Sequence, residues 1–277
     1  MSWRCAPGRC LPDIFWAVLL CVAALGPQRD ARAGAWTLPP GQSEFWATTS
    51  IAAAGSAFGP GYELRDGASY RKVEQNVLFE HGAMDGLTLL LGTQFLAVTI
   101  TGPQRTQYAG PGYTDVGGRV RLMQGEGWVV AAQVVARAPG VGDARSRAAV
   151  GYRDWEADLR LMVGADFPLG GWPAFLDVAL AQRQRFGDPP DELRLDATLG
   201  LGVMPGLLLL LQSFNVMSEG AGEGADFAVS YEYYKAQAAV LLEVNGQLSL
   251  SMAAFATVLA RNFPQENGLV LAARYRF

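Results

Sequence analysis

Few side chains in these 277 residues combine type and spacing in a way that suggests chemistry. His81 is the single histidine and stands beside Glu80, with Asp85 four residues on. A general base of this kind could activate a serine, but lipid hydrolysis would need Ser, His and an orienting polar group together. His81 falls at a short turn, at the wrong end of the expected strands for that task. Asp154, Glu156 and Asp158 recur every second residue. On a strand they would share one face and could hold a cation, although Arg137, Arg183 and Arg185 are the expected counter-charges. Cys5, Cys10 and Cys21 all precede residue 22, so one histidine and no later cysteine leave no basis for a metal site. No Asp-x-Asp-x-Asp-Gly loop is present, and Gly200 to Gly202 is not followed by a helix that could cradle phosphate. The sequence therefore predicts no catalytic residue, no metal, no cofactor and no enzyme.

The elements that would carry these residues are strands. Hydrophobic residues make up 50% of the chain, yet beyond residue 33 no apolar run exceeds five residues, as in 207–211. A membrane-spanning helix needs about 20. Period-two alternation bounded by turn residues gives twelve candidate strands: 44–54, 69–80, 87–99, 113–123, 128–138, 148–163, 173–186, 192–203, 207–216, 225–244, 247–259 and 268–277. The tenth is too long to be regular, and its apolar set changes phase near Tyr234, which predicts a bulge. Connections alternate between longer Gly-, Pro- and charge-rich loops and shorter turns, among them Asn245-Gly246, which is read as a type I′ hairpin. Gly164 to Trp172 is read as an uncommonly long turn on the short side.

The first 33 residues read as an export signal. Arg4 and Arg9 precede a twelve-residue apolar run from Ile14 to Leu25, and Ala31-Arg32-Ala33 supplies a small-x-small cleavage pattern. Cys21 could suggest a lipoprotein, but Leu20 precedes it where a small residue is expected. The expected organisation is a cleaved signal at 1–33 and one β-barrel at 34–277. From Gly34 onward the chain carries 18 basic and 24 acidic side chains, a formal charge of −6, which argues against a nucleic-acid partner.

Alternation splits each strand into two faces. Arg194 and Asp196 oppose Leu193, Leu195 and Leu199; Glu156, Asp158 and Arg160 oppose Trp155, Leu159 and Leu161; Arg119 and Arg121 oppose Val116, Val120 and Leu122. This suits an all-β, antiparallel, up-and-down transmembrane barrel of about 12 strands, apolar outside and charged within. The expected lumen-lining set is Arg119, Arg121, Arg137, Asp154, Glu156, Asp158, Arg160, Asp177, Arg183, Arg194 and Asp196. Residue numbers that sum to 337 would pair Asp154 with Arg183 and Arg160 with Asp177. A sum of 252 would pair Asp115 with Arg137. Trp36, Trp46, Trp128, Trp155 and Trp172 lie near strand ends and are read as an aromatic girdle.

The last strand, with Leu269, Leu271, Ala273, Tyr275 and Phe277 on one face and Arg274 and Arg276 on the other, resembles the closing strand of bacterial outer-membrane barrels. Gly112 to Leu122 resembles a G-x-x-D-V-x-x-x-x-[KR]-[LY] strand, and Glu80 to Leu89 resembles E-Y-G-L-T-D-x-L-T-L with His81 in place of Tyr. Both motifs are similar to those of an outer-membrane barrel family labelled as transporters or as MetA-pathway of phenol degradation proteins. The Asn262 segment and Arg274 to Phe277 fit its C-terminus. The resemblance implies a bacterial outer-membrane location, lipid contact, and engagement of the barrel-assembly machinery through the strand ending at Phe277. It also implies passage of small, apolar or aromatic molecules. The function expected is a channel or transporter-like barrel with a narrow charged lumen; the alternative is a closed, structural barrel whose outer loops bind a partner.

Overall fold

The computed structural model describes residues 34–102, 105–141 and 146–277. The proposed signal segment lies outside the described residues. The strands are β1 (Ser43–Phe58), β2 (Leu64–Met84), β3 (Leu87–Thr101), β4 (Thr106–Gly125), β5 (Trp128–Pro139), β6 (Glu156–Leu169) and β7 (Trp172–Arg185). They continue with β8 (Glu192–Met204), β9 (Leu207–Ser218), β10 (Glu232–Glu243), β11 (Leu248–Arg261), the two-residue β12 (Phe263–Pro264) and β13 (Asn267–Arg276). Each long strand pairs antiparallel with the next, and β1 pairs with both β2 and β13. The sheet thus closes into a barrel of twelve long strands. Closure satisfies every strand's hydrogen-bonding edge, as the hydrocarbon core of a membrane requires.

Short turns collect at the rim that also holds Ser43 and Phe277, where the amides of the two residues bond each other's carbonyls at 2.8 and 3.0 Å. Four of these turns have two residues each: Asp85-Gly86, Glu126-Gly127, Gly170-Gly171 and Pro205-Gly206. Each places a glycine at positive φ in its second position, a conformation glycine takes without strain. The Asn245 connection differs from its expectation. Neither Asn245 nor Gly246 has positive φ; instead the Asn245 side-chain oxygen accepts from the amides of Gln247 (2.9 Å) and Leu248 (2.8 Å), an Asx-type turn.

Two strand expectations are corrected. Residues 147–152 form a short 3₁₀ helix, η1 (Arg147–Tyr152), rather than the start of a strand, so β6 begins at Glu156. The Gly170-Gly171 turn also moves the β6–β7 register to a sum of 341. Asp158 consequently faces Arg183 and Glu156 faces Arg185, in place of the two pairs expected. The shift of four residues keeps every side chain on its expected face. The β4–β5 register is as expected, with Asp115 opposite Arg137. The bulge falls between Tyr234 and Lys235, though β10 starts only at Glu232.

The apolar faces point outward. Leu91, Leu161, Leu211, Met252 and Leu271 are each at least half exposed. Such a belt would be a liability in water and is the contact surface of a lipid-embedded barrel. No described helix is long and apolar enough to cross a membrane. Trp128, Trp155 and Trp172 stand exposed near strand ends, as expected of a girdle. Trp36 and Trp46 do not. Trp36 packs inside against Ala35 and its buried neighbours, and Trp46 lies under the Arg274 guanidinium with its indole N–H donating to Glu44 (3.2 Å). Phe45, Phe79, Tyr275 and Phe277 sit on the outside of the same rim, with ring centroids 6.3 Å apart for Phe79–Phe277 and 6.0 Å for Tyr275–Phe277.

Candidate functional site

Side chains on strands two apart can meet only across the concave face of the sheet. Arg160 on β6 reaches Asp196 on β8 at 2.8 Å, Tyr113 on β4 reaches Glu156 on β6 at 3.0 Å, and Arg119 on β4 reaches Glu80 on β2 at 2.8 Å. Those chords place the charged faces inside the barrel.

The interior charges form one continuous network across β4 to β8. Glu156 accepts from Arg137 (2.7 Å) and Arg185 (3.0 Å); Arg137 also binds Asp115 (3.0 Å), and Arg185 also binds Glu192 (3.0 Å). Asp158 lies 3.1 Å from Arg183 and 3.4 Å from Arg160, and Glu192 takes Arg194 at 3.3 Å. Five arginines and five carboxylates thus neutralise one another. Glu156, Asp158 and Glu192 are almost completely buried. Removing one partner of such a set leaves a charge without compensation and costs about 3–5 kcal/mol. Tyr231, just before β10, donates to Glu192 at 2.5 Å, and burial followed by the Glu192 charge holds its hydroxyl well above the ordinary tyrosine range.

Of the residues singled out from sequence, Arg137, Glu156, Asp158, Arg160, Arg183, Arg194 and Asp196 meet in this network. Arg119 lies apart from it, held by Glu80, by the Gln133 side chain (3.0 Å) and by the Trp36 carbonyl (3.0 Å). Arg121 is at the short-turn rim, paired with Asp85. Asp177 is buried and accepts the amide of Ala35 at 2.7 Å. Asp154 is in the loop before β6, its carboxylate against Gly187. Burial, then the nearby Asp188, pushes that carboxyl above its usual range. The Asp154–Glu156–Asp158 trio is therefore not one cluster; two of its members are occupied by arginines. Tyr113, Glu80, Arg185 and Glu192 join these interior contacts without belonging to the expected lining set, although Glu192 stands two residues before Arg194 on the same strand face.

Two chain segments fold inward. At the short-turn end, Ala35 is fully buried with Val129, Ala131, Met162 and Ala179, and the Leu38 amide donates to Thr88 Oγ1 at 2.8 Å. At the long-loop end, Ala148 and Ala149 of η1 pack with Leu96, Val98 and Tyr108. Both lie against the β3–β7 half of the interior. The opposite half keeps a cavity of about 220 Å³. Its lining mixes Lys72, Glu74, Arg194, Lys235 and Glu266 with Phe214, Tyr233 and Phe255. Lys235 bonds Glu266 at 2.5 Å, and its ammonium sits 4.8 Å from the Tyr233 ring centroid and 5.7 Å from that of Phe255. His81 is elsewhere, at the rim, where its Nδ1 shares a hydrogen bond with the Ser43 hydroxyl at 2.9 Å.

No protein-family model matches the chain, and no curated protein matches its sequence. Solved structures do. An outer membrane channel of Pseudomonas putida F1 is 16% identical, with a TM-score of 0.74 over 90% of this chain and 100% of that one. The translocator domain of the autotransporter NalP of Neisseria meningitidis is 11% identical, with a TM-score of 0.53 over 96% and 95%. The chain has the fold of the outer-membrane β-barrels of bacteria. Its exposed apolar belt suits a lipid medium. The matches also include OmpT of Vibrio cholerae, described as an outer membrane protein, which is 12% identical with a TM-score of 0.36 over 89% and 99%. The expectation that the chain is not an enzyme is corrected: these likenesses are of fold, and a fold excludes no reaction. Matched barrels are not all described as channels, and a shared barrel leaves the chemistry to the individual site. No reaction is assigned to the chain.

Proposed function

We propose that the barrel is an outer-membrane channel passing small molecules through a narrow, charged lumen. One observation carries this reading: the interior half left free by the two inward segments holds a cavity of about 220 Å³, lined by both signs of charge and by aromatic rings. Rings of charge select among solutes, and aromatic faces offer an apolar surface beside them. Small amphipathic molecules, apolar or aromatic with a polar end, fit that lining. The arginine–carboxylate wall forms the other side of the passage and is rigid because each buried charge is paired. Assembly into the membrane would use the β13 edge and its terminal Phe277, which lies on the outer rim beside Phe79.

A second reading, a non-conducting barrel that acts through its outer loops, draws on the inward packing of residues 34–40 and of η1. Single-channel recording and liposome swelling separate the two. The channel reading expects small conductance steps and uptake of small aromatic solutes, with Lys235→Met altering the current–voltage asymmetry. Absence of both conductance and uptake in protein shown to be folded would favour the closed barrel.

A further inference from the structure

Asp177 is a buried carboxylate that forms no ion pair within 4 Å among the described residues; the Ala35 amide at 2.7 Å is its partner. The nearest interior cations are engaged elsewhere, Arg119 by Glu80 and Arg160 by Asp158 and Asp196. A buried charge of this kind calls for a counter-charge. Gly34 supplies the place for one. Its φ is +77°, and a Cβ there would overlap the Asp177 carboxylate, so the carboxylate occupies the space beside the Gly34 backbone that any larger residue would fill. Residues 31–33 immediately before it read Ala-Arg-Ala.

We propose that Asp177 is the receptor for the N-terminal α-ammonium that export processing creates at Gly34. Signal peptidase hydrolysis breaks the bond between the Ala33 carbonyl carbon and the Gly34 nitrogen. Water supplies the hydroxyl of the Ala33 carboxylic acid and a proton to the amine leaving group, which is ammonium at neutral pH. The new cation forms one residue from a hydrogen bond that already exists. It neutralises Asp177 and fastens residues 34–38 along the inner face, where Arg119 holds the Trp36 carbonyl and Thr88 holds the Leu38 amide. Before cleavage the same nitrogen is an uncharged amide, so the lock closes only on processed chains. The inference does not depend on whether the barrel conducts.

The test uses protein purified from outer membranes. Intact mass and N-terminal sequencing should give Gly34 as the first residue. Acylation of the α-amine by an N-hydroxysuccinimide ester, followed on the 34–65 tryptic peptide, should be at least tenfold slower in the folded barrel than in urea. Its pH midpoint should lie above the ordinary α-amino range of about 7.7–8.0. Asp177→Asn should restore most of the rate and return the midpoint to that range, while Thr88→Val, which removes another fastening of the same segment, should raise the rate less and leave the midpoint where it is in the wild type. A first residue other than Gly34, or a midpoint at or below the ordinary range in the wild type, overturns the proposal even if Asp177→Asn does not fold. Equal effects of Asp177→Asn and Thr88→Val also overturn it, because burial alone would then explain the protection.

Discussion

Glu156 is one of the most heavily committed side chains inside the barrel: Arg137, Arg185 and the Tyr113 hydroxyl all converge on its carboxylate. Replacing it with Gln keeps the shape and removes the charge, leaving two arginines short of a partner. Glu156→Gln should therefore destabilise the barrel by about 3 kcal/mol, at the low end for a broken buried pair because an amide still accepts hydrogen bonds. Urea unfolding in detergent micelles reads this directly, and a variant with the wild-type midpoint would show that interior water already screens the network. Asp154 behaves oppositely. Its carboxyl titrates above the usual range because burial and Asp188 disfavour its ionised form. A raised acid stabilises the fold only while protonated, so its contribution is present below the ordinary aspartate range and is lost as pH rises through the raised value. Asp154→Asn should melt above the wild type near pH 7 and equal it near pH 3. The sequence puts Glu156 on the polar face by simple alternation, but the convergence of three partners depends on β4 and β7 coming within reach, which alternation does not encode.

Strands read well from their side-chain period because a half-lipid, half-water environment acts on every second residue independently. The twelve strands, the Tyr234 bulge and the Asp115–Arg137 register all follow from such local signals. The β6–β7 register does not. It is set by which residues form the turn, and Gly170-Gly171 can close a two-residue hairpin that draws Ala165 to Leu169 and Trp172 to Leu176 into the ladder. Opposite charges offered a second, equally plausible pairing worth only about 0.2–1 kcal/mol per pair, too little to decide against the turn. Face assignment is the firmer inference, and it has a sharp consequence on β6. Leu161 is half exposed on the outer face, between Ala132 and Leu180. Leu161→Arg would place a cation toward lipid and should cost about 2–4 kcal/mol near the middle of the membrane. Leu161→Phe, equally large and apolar, should be nearly neutral in the same unfolding assay. Equal tolerance of both would mean that this face does not meet hydrocarbon.

The closed wall suits residence in a membrane, and on the channel reading what lies inside it sets how much can pass. Strand periodicity gives no warning that residues 34–40 and 147–152 turn inward, because 148–152 reads as the start of the sixth strand and each segment is held by partners far away in the chain. Ala35 packs on Val129 and Met162, and Ala149 belongs to the cluster of Leu96 and Tyr108. The two fillings sit at opposite ends of the barrel and share the β3–β7 side, so a solute path would run along the cavity on the other side. Removing residues 35–40 should therefore raise the single-channel conductance by clearing the short-turn end alone. Replacing 147–152 by a Gly-Ser linker of equal length should clear the long-loop end. Obstructions in series add as resistances, so the gain in conductance with both changes should exceed the sum of the two separate gains. If either change alone produced the full increase, the remaining segment would not narrow the path. The passage would then be controlled at one rim, with the charged wall between the rims acting only to hold the barrel in shape.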